Sequence, residues 1–419
     1  MHNFSYQNGE LYAEDVPLAT IAQQVGTPSY VYSQATLERH FKVFDQAFED
    51  LDHLVCFAVK ANSSQAVIAT LAHLGAGADI VSGGELVRGM AAGVPADRIV
   101  YSGVGKSEAE MQAALEAGIL MFNLESAQEL VALNEVAGRM GLKAPVSLRV
   151  NPDVDAQTHP KITTGLSKNK FGLDVDLAFK QYQEAANLPN LQLKGVSCHI
   201  GSQLTKVDPF ADALERLGVL IGRLRGAGIE LELLDLGGGL GITYDQEEPP
   251  SPAQYAQALK EQAARLGLKL VLEPGRVIVG NAGILLCRVL FTKDTPTKHF
   301  VIVDAGMNDL VRPAMYDSYQ AIWPVKQDGG GSKVISDVVG PICETGDFLA
   351  RDRELPDLVR GELIAVMSAG AYGFSMASTY NSRPRVAEVM VSGGRWSVVR
   401  RRETVEELMR GERLPEWME

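Results

Sequence analysis

Leu54–Asn62 reads LVCFAVKAN: an apolar run that stops on Lys60, with a turn directly behind it. A buried strand that ends on a lysine has two readings. Either the side chain snorkels to water, or a partly desolvated amine with a depressed pKa serves as a nucleophile. The rest of the chain has to choose between them.

Moving outward, short apolar runs alternate with amphipathic stretches. The runs are 54–60, ADIVS (78–82), RIVYSG (98–103), ILMFNL (119–124), PVSLRV (145–150), KGVSCHI (194–200), LELLDL (231–236) and KLVLEP (269–274). Between them lie SQAVIATLAHL, SEAEMQAALEAG, SAQELVALNEVAGRM and DPFADALERLGVLIGRLRGAG, which open on Ser or Asp as if capped. Eight such βα units over roughly 220 residues suit an α/β fold, a (β/α)8 TIM barrel of ~250 residues. The alternative is an open doubly wound sheet. The barrel is preferred because polar residues recur at one end of the runs: Lys60, Asp79, Arg149, His199, the glycines after Asp235, and Glu273. A barrel gathers those ends at one site, whereas an open sheet spreads them along an edge.

Beyond residue 277 the texture changes to β-strands and turns. The reading divides the chain into a barrel over 30–277 and a separate, mostly antiparallel β domain of 278–419, joined by residues 1–29. GGGSK (329–333) reads as a surface turn.

The 419 residues are 46% hydrophobic and 22% charged, with net charge −13. That balance argues against nucleic-acid or anionic-membrane partners. No signal peptide or apolar span of ~20 residues is visible. The four cysteines, Cys56, Cys198, Cys287 and Cys343, form no C-x-x-C pair and no zinc pattern, so no metal is expected. Reduced thiols point to the cytoplasm.

DLGGGLGI (235–242) carries Gly237, Gly238 and Gly239 after an apolar run. Consecutive glycines bring backbone N–H groups close to an anion, with a helix N-terminus expected behind. A tight turn is the plain alternative. CHIGSQ puts His199 at a strand end, able to stack on a planar group, with Ser202 on the turn. LEPGR places Glu273, Gly275 and Arg276 after the eighth run; a carboxylate there could hold a proton on a ring nitrogen, or simply pair with Arg276. Amine, anion cradle, flat imidazole and carboxylate together describe a pyridoxal 5′-phosphate site.

FAVKAN, SGGEL, HIGSQ, GGGLGI, EPGR, RPAMY, GPICETGD, AGAYG and YNSRPR, in that order, carry a family resemblance over nearly the whole chain. The chain resembles the fold-type III pyridoxal-phosphate enzymes, which join an alanine-racemase-like barrel to a β domain, and among them the diaminopimelate decarboxylases. The resemblance implies decarboxylation of meso-2,6-diaminopimelate to L-lysine and CO2, the last step of lysine biosynthesis. It implies that Lys60 holds the cofactor covalently and His199 stacks on it. Ser202 and Gly237–Gly239 would bind its phosphate, and Glu273 its ring nitrogen. Gly275 and Tyr372 would lie beside it, and Asp79 and Arg149 would support lysine and cofactor. Arg276, Arg312 and Tyr316 would take the substrate carboxylates, Glu344 its distal amino-acid end, and Cys343 would donate the proton. It also implies a homodimer in which Cys343 and Glu344 come from the neighbouring subunit. Thr345 and Phe57 stand where Ser and Tyr are common in the family; neither change removes a reactive group. Rivals within the fold are decarboxylases for ornithine, arginine or carboxynorspermidine and amino-acid racemases. A binding-only homologue is the rival outside catalysis.

Overall fold

The structure, a computed structural model, describes residues 2–155, 170–327 and 332–418. Residues 329–331 of the GGGSK turn fall outside the described residues. Contacts divide the chain into Leu37–Ile278 and a second unit of Met1–Thr36 with Val279–Glu419. The division thus follows Thr36, beyond the cut at residue 30 expected from the sequence, because Ser29–Ser33 pairs into the second unit's sheet.

In the first unit the strands are β1 (His53–Ala58), β2 (Gly77–Ile80), β3 (Ile99–Tyr101), β4 (Met121–Leu124), β5 (Ala144–Asn151), β6 (Leu191–Ser197), β7 (Leu233–Asp235) and β8 (Lys269–Leu272). Each pairs in parallel with the next, and β8 pairs with β1 through Leu270–His53, closing the barrel. Closure leaves no open edge for these strands. Side chains alternate across each strand, so every second residue points inward. Leu54, Cys56, Val100, Met121, Leu233 and Val271 form one apolar interior cluster.

The helices between strands start largely where the capping residues predict. Ser107 makes a full capping box with Glu110, and the helix Glu108–Ala117 ends on left-handed Gly118. Ser126 and Ser251 cap the helices Ala127–Met140 and Pro252–Leu266. Ser64 and Asp208 do not cap. Ser64 makes no capping hydrogen bond, and Asp208 lies inside the first turn of Asp208–Gly226, after an N-cap at Val207. There its charge meets the helix dipole instead.

The second unit holds a mixed sheet, mostly antiparallel, ordered Phe348–Pro356, Lys333–Val339, His299–Val303, Gly283–Asp294, Ser29–Ser33, Ala387–Ser392 and Arg395–Arg400. Two of its pairings are parallel: His299–Val303 with Lys333–Val339, and Ser29–Ser33 with Ala387–Ser392. Phe348–Pro356 is an edge strand, where the charged run Arg351–Glu354 is ordinary. Among the described residues no helix is long and apolar enough to cross a membrane.

Candidate active site

Lys60 follows β1 directly, on a short turn of 3-10 helix. Its Nζ lies 2.5 Å from Asp79 Oδ2 of β2, and Asp79 is fully buried. A carboxylate at that distance favours the ammonium. The Lys60 nitrogen is thus paired with a buried carboxylate rather than extended to water. Asp79 Oδ1 is buried with no hydrogen-bond partner among the described residues.

Past β6, His199 Nδ1 accepts the Gly238 N–H at 3.2 Å. Burial, with Arg149 and Lys60 nearby, holds the imidazole pKa well below its usual value, so the ring is neutral. A neutral ring that accepts at Nδ1 carries its proton on Nε2. Arg149 donates to Glu125 at 2.8 Å and to the His199 carbonyl at 3.3 Å.

The glycine loop differs from expectation in two ways. The next helix begins only at Pro252, so no helix N-terminus stands behind it. Two of its three amides are committed, Gly237 N–H to Asp235 Oδ1 and Gly238 N–H to His199; Gly239 N–H has no acceptor among the described residues. The glycines are still required. Gly237 and Gly239 have φ of +67° and +121°, and a Cβ on Gly238 would lie 2.2 Å from the Glu273 carbonyl oxygen. The loop is laced to the HIGSQ turn: Gln203 bonds both backbone groups of Ile242, and Leu204 N–H donates to the Gly239 carbonyl. Arg276 spans this region, donating to Ser202 Oγ at 2.9 Å and to the Tyr244 hydroxyl at 2.7 Å. Gly275 packs where a Cβ would meet Ala61 Cβ at 2.9 Å.

Below the mouth lies a polar layer, of which the sequence reading gave a role only to Glu273. Asn123 Nδ2 reaches Asp235 Oδ2 (2.8 Å), Ser102 Oγ (3.0 Å) and Glu273 Oε1 (3.3 Å). Ser147 Oγ donates to Asn123 Oδ1 at 2.6 Å and meets Ser197 Oγ at 2.9 Å. The available signal was a polar residue inside an otherwise apolar run, as in MFNL or LLD. Glu85 was also missed. It accepts the Val81 N–H at 2.7 Å, and burial raises its pKa to about 7.

In the second unit, Arg312 is buried with its guanidinium 5.4 Å from the Tyr316 ring and 5.9 Å from the Tyr372 ring. Tyr372 has φ of +54°, a costly conformation that fixes its direction. Cys343 and Glu344 are exposed on a loop. Cys343 N–H donates to Asn381 Oδ1 at 2.8 Å, and Glu344 hydrogen-bonds Tyr380. The buried Asp347 braces this loop, accepting from Ile342 N–H and Met307 N–H, each at 2.6 Å. A Cβ on Gly340 or Gly306 would crowd the same carboxylate at 2.5 and 2.9 Å.

The family model described as "Pyridoxal-dependent decarboxylase, pyridoxal binding domain" matches residues 34–280. A diaminopimelate decarboxylase of Vibrio cholerae is 55% identical, covering 97% of this chain and 98% of that protein. The solved structure of diaminopimelate decarboxylase from Helicobacter pylori complexed with L-lysine has a TM-score of 0.91 at 41% identity, covering 94% of this chain and 98% of that one. The enzyme from M. jannaschii in co-complex with L-lysine has a TM-score of 0.94 at 38% identity, covering 99% of each chain. With a closed barrel, a lysine at the end of its first strand and relatives matching end to end, the chain belongs to the pyridoxal-dependent decarboxylases, in the diaminopimelate decarboxylase family.

Proposed function

We propose that this chain decarboxylates meso-2,6-diaminopimelate to L-lysine and CO2 with pyridoxal 5′-phosphate. The observation that carries the reading is the convergence of Lys60, His199, Arg276 and Glu273 on one end of the barrel, in a chain 55% identical to a diaminopimelate decarboxylase. The residues fit the cofactor. Lys60 is an amine for its aldehyde, and the orphaned Asp79 Oδ1 sits where the amine is held. Gly239 N–H, Ser202 and Arg276 form a donor set for a phosphate. When bound, the cofactor supplies an electron sink for the charge left as CO2 departs.

The chain's own residues do the rest. Asp79 orients Lys60. Neutral His199 presents a flat face without placing a cation against the ring. Glu273 holds the proton on the ring nitrogen that makes the sink effective. Arg312, fixed between two tyrosines, takes a carboxylate, and Glu344 takes the distal ammonium. Cys343 returns a proton to the carbon that lost CO2. This division of charge suits a substrate with an amino-acid group at each end; a diamine-forming decarboxylase has no use for the extra arginine.

The active form in this reading is a homodimer, each site completed by Cys343 and Glu344 of the neighbouring subunit, in the cytoplasm. Exposure of those two residues on a braced loop supports it. Product analysis tests the reading. CO2 and L-lysine from meso-diaminopimelate, and nothing from L-ornithine, L-arginine or carboxynorspermidine, is the expected result. Turnover of another substrate instead overturns the assignment. Mixing Lys60→Ala and Cys343→Ala proteins should restore activity that neither has alone; no restoration rules out shared sites.

A further inference from the structure

Two carboxyl groups inside the barrel depend on a single shared amide. Asn123 Nδ2 is 2.8 Å from Asp235 Oδ2 and 3.3 Å from Glu273 Oε1. Asp235 is fully buried and Glu273 is 7% exposed. Their other donors are neutral as well: Gly237 N–H to Asp235 Oδ1 at 2.9 Å, and Ser102 Oγ to Glu273 Oε1 at 3.2 Å.

Asp79 on β2 adds a third carboxylate to the field, and Lys60 after β1, the cation that acts on Glu273, is shared with Asp79 at 2.5 Å. Cys56 on β1 and Cys198 after β6 lie in the field of the pair and Tyr255 on the helix Pro252–Leu266 in that of Asp235, and burial raises the pKa of each, so they stay neutral. Two acids so close in a dry site cannot both ionise, and one proton stays between them. Asp235 receives two N–H donors aimed at separate oxygens, which suits the anion. Glu273 receives its two donors on one oxygen, leaving the other for a proton. Burial raises both groups, Asp235 to about 6 and Glu273 well above its ordinary value, in the same sense.

We infer that Asp235 is a positioning residue that keeps a proton on Glu273, so that Glu273 meets the cofactor's ring nitrogen as a proton donor. The inference rests on the reading that Glu273 partners that nitrogen. In the step, the Glu273 O–H bond breaks, the nitrogen lone pair takes the proton, and Glu273 is left as a carboxylate beside the new N–H cation. That cation is what lets Asp235 and Glu273 carry their charges together.

The test uses protein freed of cofactor and pyridoxine 5′-phosphate, which has the ring and phosphate but no aldehyde for Lys60. Titration calorimetry at neutral pH, in buffers of different ionisation enthalpy, counts the protons exchanged on binding. Asp235→Asn should take up more protons than the wild type, by as much as one per site, because its Glu273 ionises before the ring arrives. The ring's own protonation cancels in that difference. Equal counts overturn the inference. Infrared difference spectra of the wild type need no variant: binding should erase a protonated-carboxyl band, and Glu273→Gln should lack it. An unchanged spectrum in the wild type overturns the inference even if Asp235→Asn fails to fold. Failure of the wild type to bind the analogue would instead overturn the cofactor placement beneath it.

Discussion

The barrel interior has two layers built by the same strands. On β3, β4, β7 and β8 the lower layer is Val100, Met121, Leu233 and Val271. Two residues further along, each chain presents Ser102, Asn123, Asp235 and Glu273. The lower layer gains from losing water, at about 1.5–3 kcal/mol for each large apolar side chain. The upper layer gains nothing comparable, since an unsatisfied buried polar group costs about 1–3 kcal/mol. It persists because its groups satisfy one another through Asn123. One strand period separates the apolar layer from the polar one.

The largest test of that division is at the mouth. Lys60→Ala should lower turnover by about a thousandfold or more and abolish borohydride-stable cofactor attachment, with the fold intact. Attachment that survives would move the reactive amine elsewhere. Within the layers, Asn123→Leu should cost about 3 kcal/mol in urea denaturation, leaving Asp235, Glu273 and Ser147 without their shared partner. Met121→Leu, one period below, should cost under about 1.5 kcal/mol and leave cofactor binding unchanged. Equal costs would erase the distinction. Outside the barrel, Cys343→Ala should lower turnover about a hundredfold while keeping the cofactor's absorbance. Loss of cofactor would mean that the barrel does not hold it alone.

The smallest effect concerns pH. Burial raises Glu85 from 4.5 to about 7. An acid with a raised folded pKa is protonated in the folded state while the unfolded chain has already ionised. Its contribution to stability is therefore full below pH 4.5 and falls away as pH rises towards 7. Glu85→Gln should flatten that decline in melting temperature. An unchanged slope would assign it to Asp235, whose pKa rises to about 6.

The barrel was legible because its strands are buried runs ending in polar residues at a common end. The polar layer was not, for the same reason. Strands buried on both faces read as continuous apolar runs, so one Ser in PVSLRV or one Asn in ILMFNL looks incidental until closure places them around a point. The glycine loop was legible as a close approach of backbones. The missing helix behind it was not, since Thr243–Ser251 gives no period to read. Tyr372 is far in sequence from Arg312 and Tyr316, and could be grouped with them only by family resemblance. Cys343 has no chemical signal beyond a Gly- and Pro-bounded turn.

The bracing of that turn has a consequence for how the site could change. Asp347 ties the Ile342 amide at its start to the Met307 amide of another loop, and Asn381 grips the amide of Cys343 itself. None of these bonds involves the side chain at position 344. The loop is a fixed socket whose outward fitting can be exchanged, so altering Glu344 should redirect which distal group is accepted while the backbone, and with it the thiol, stays in place.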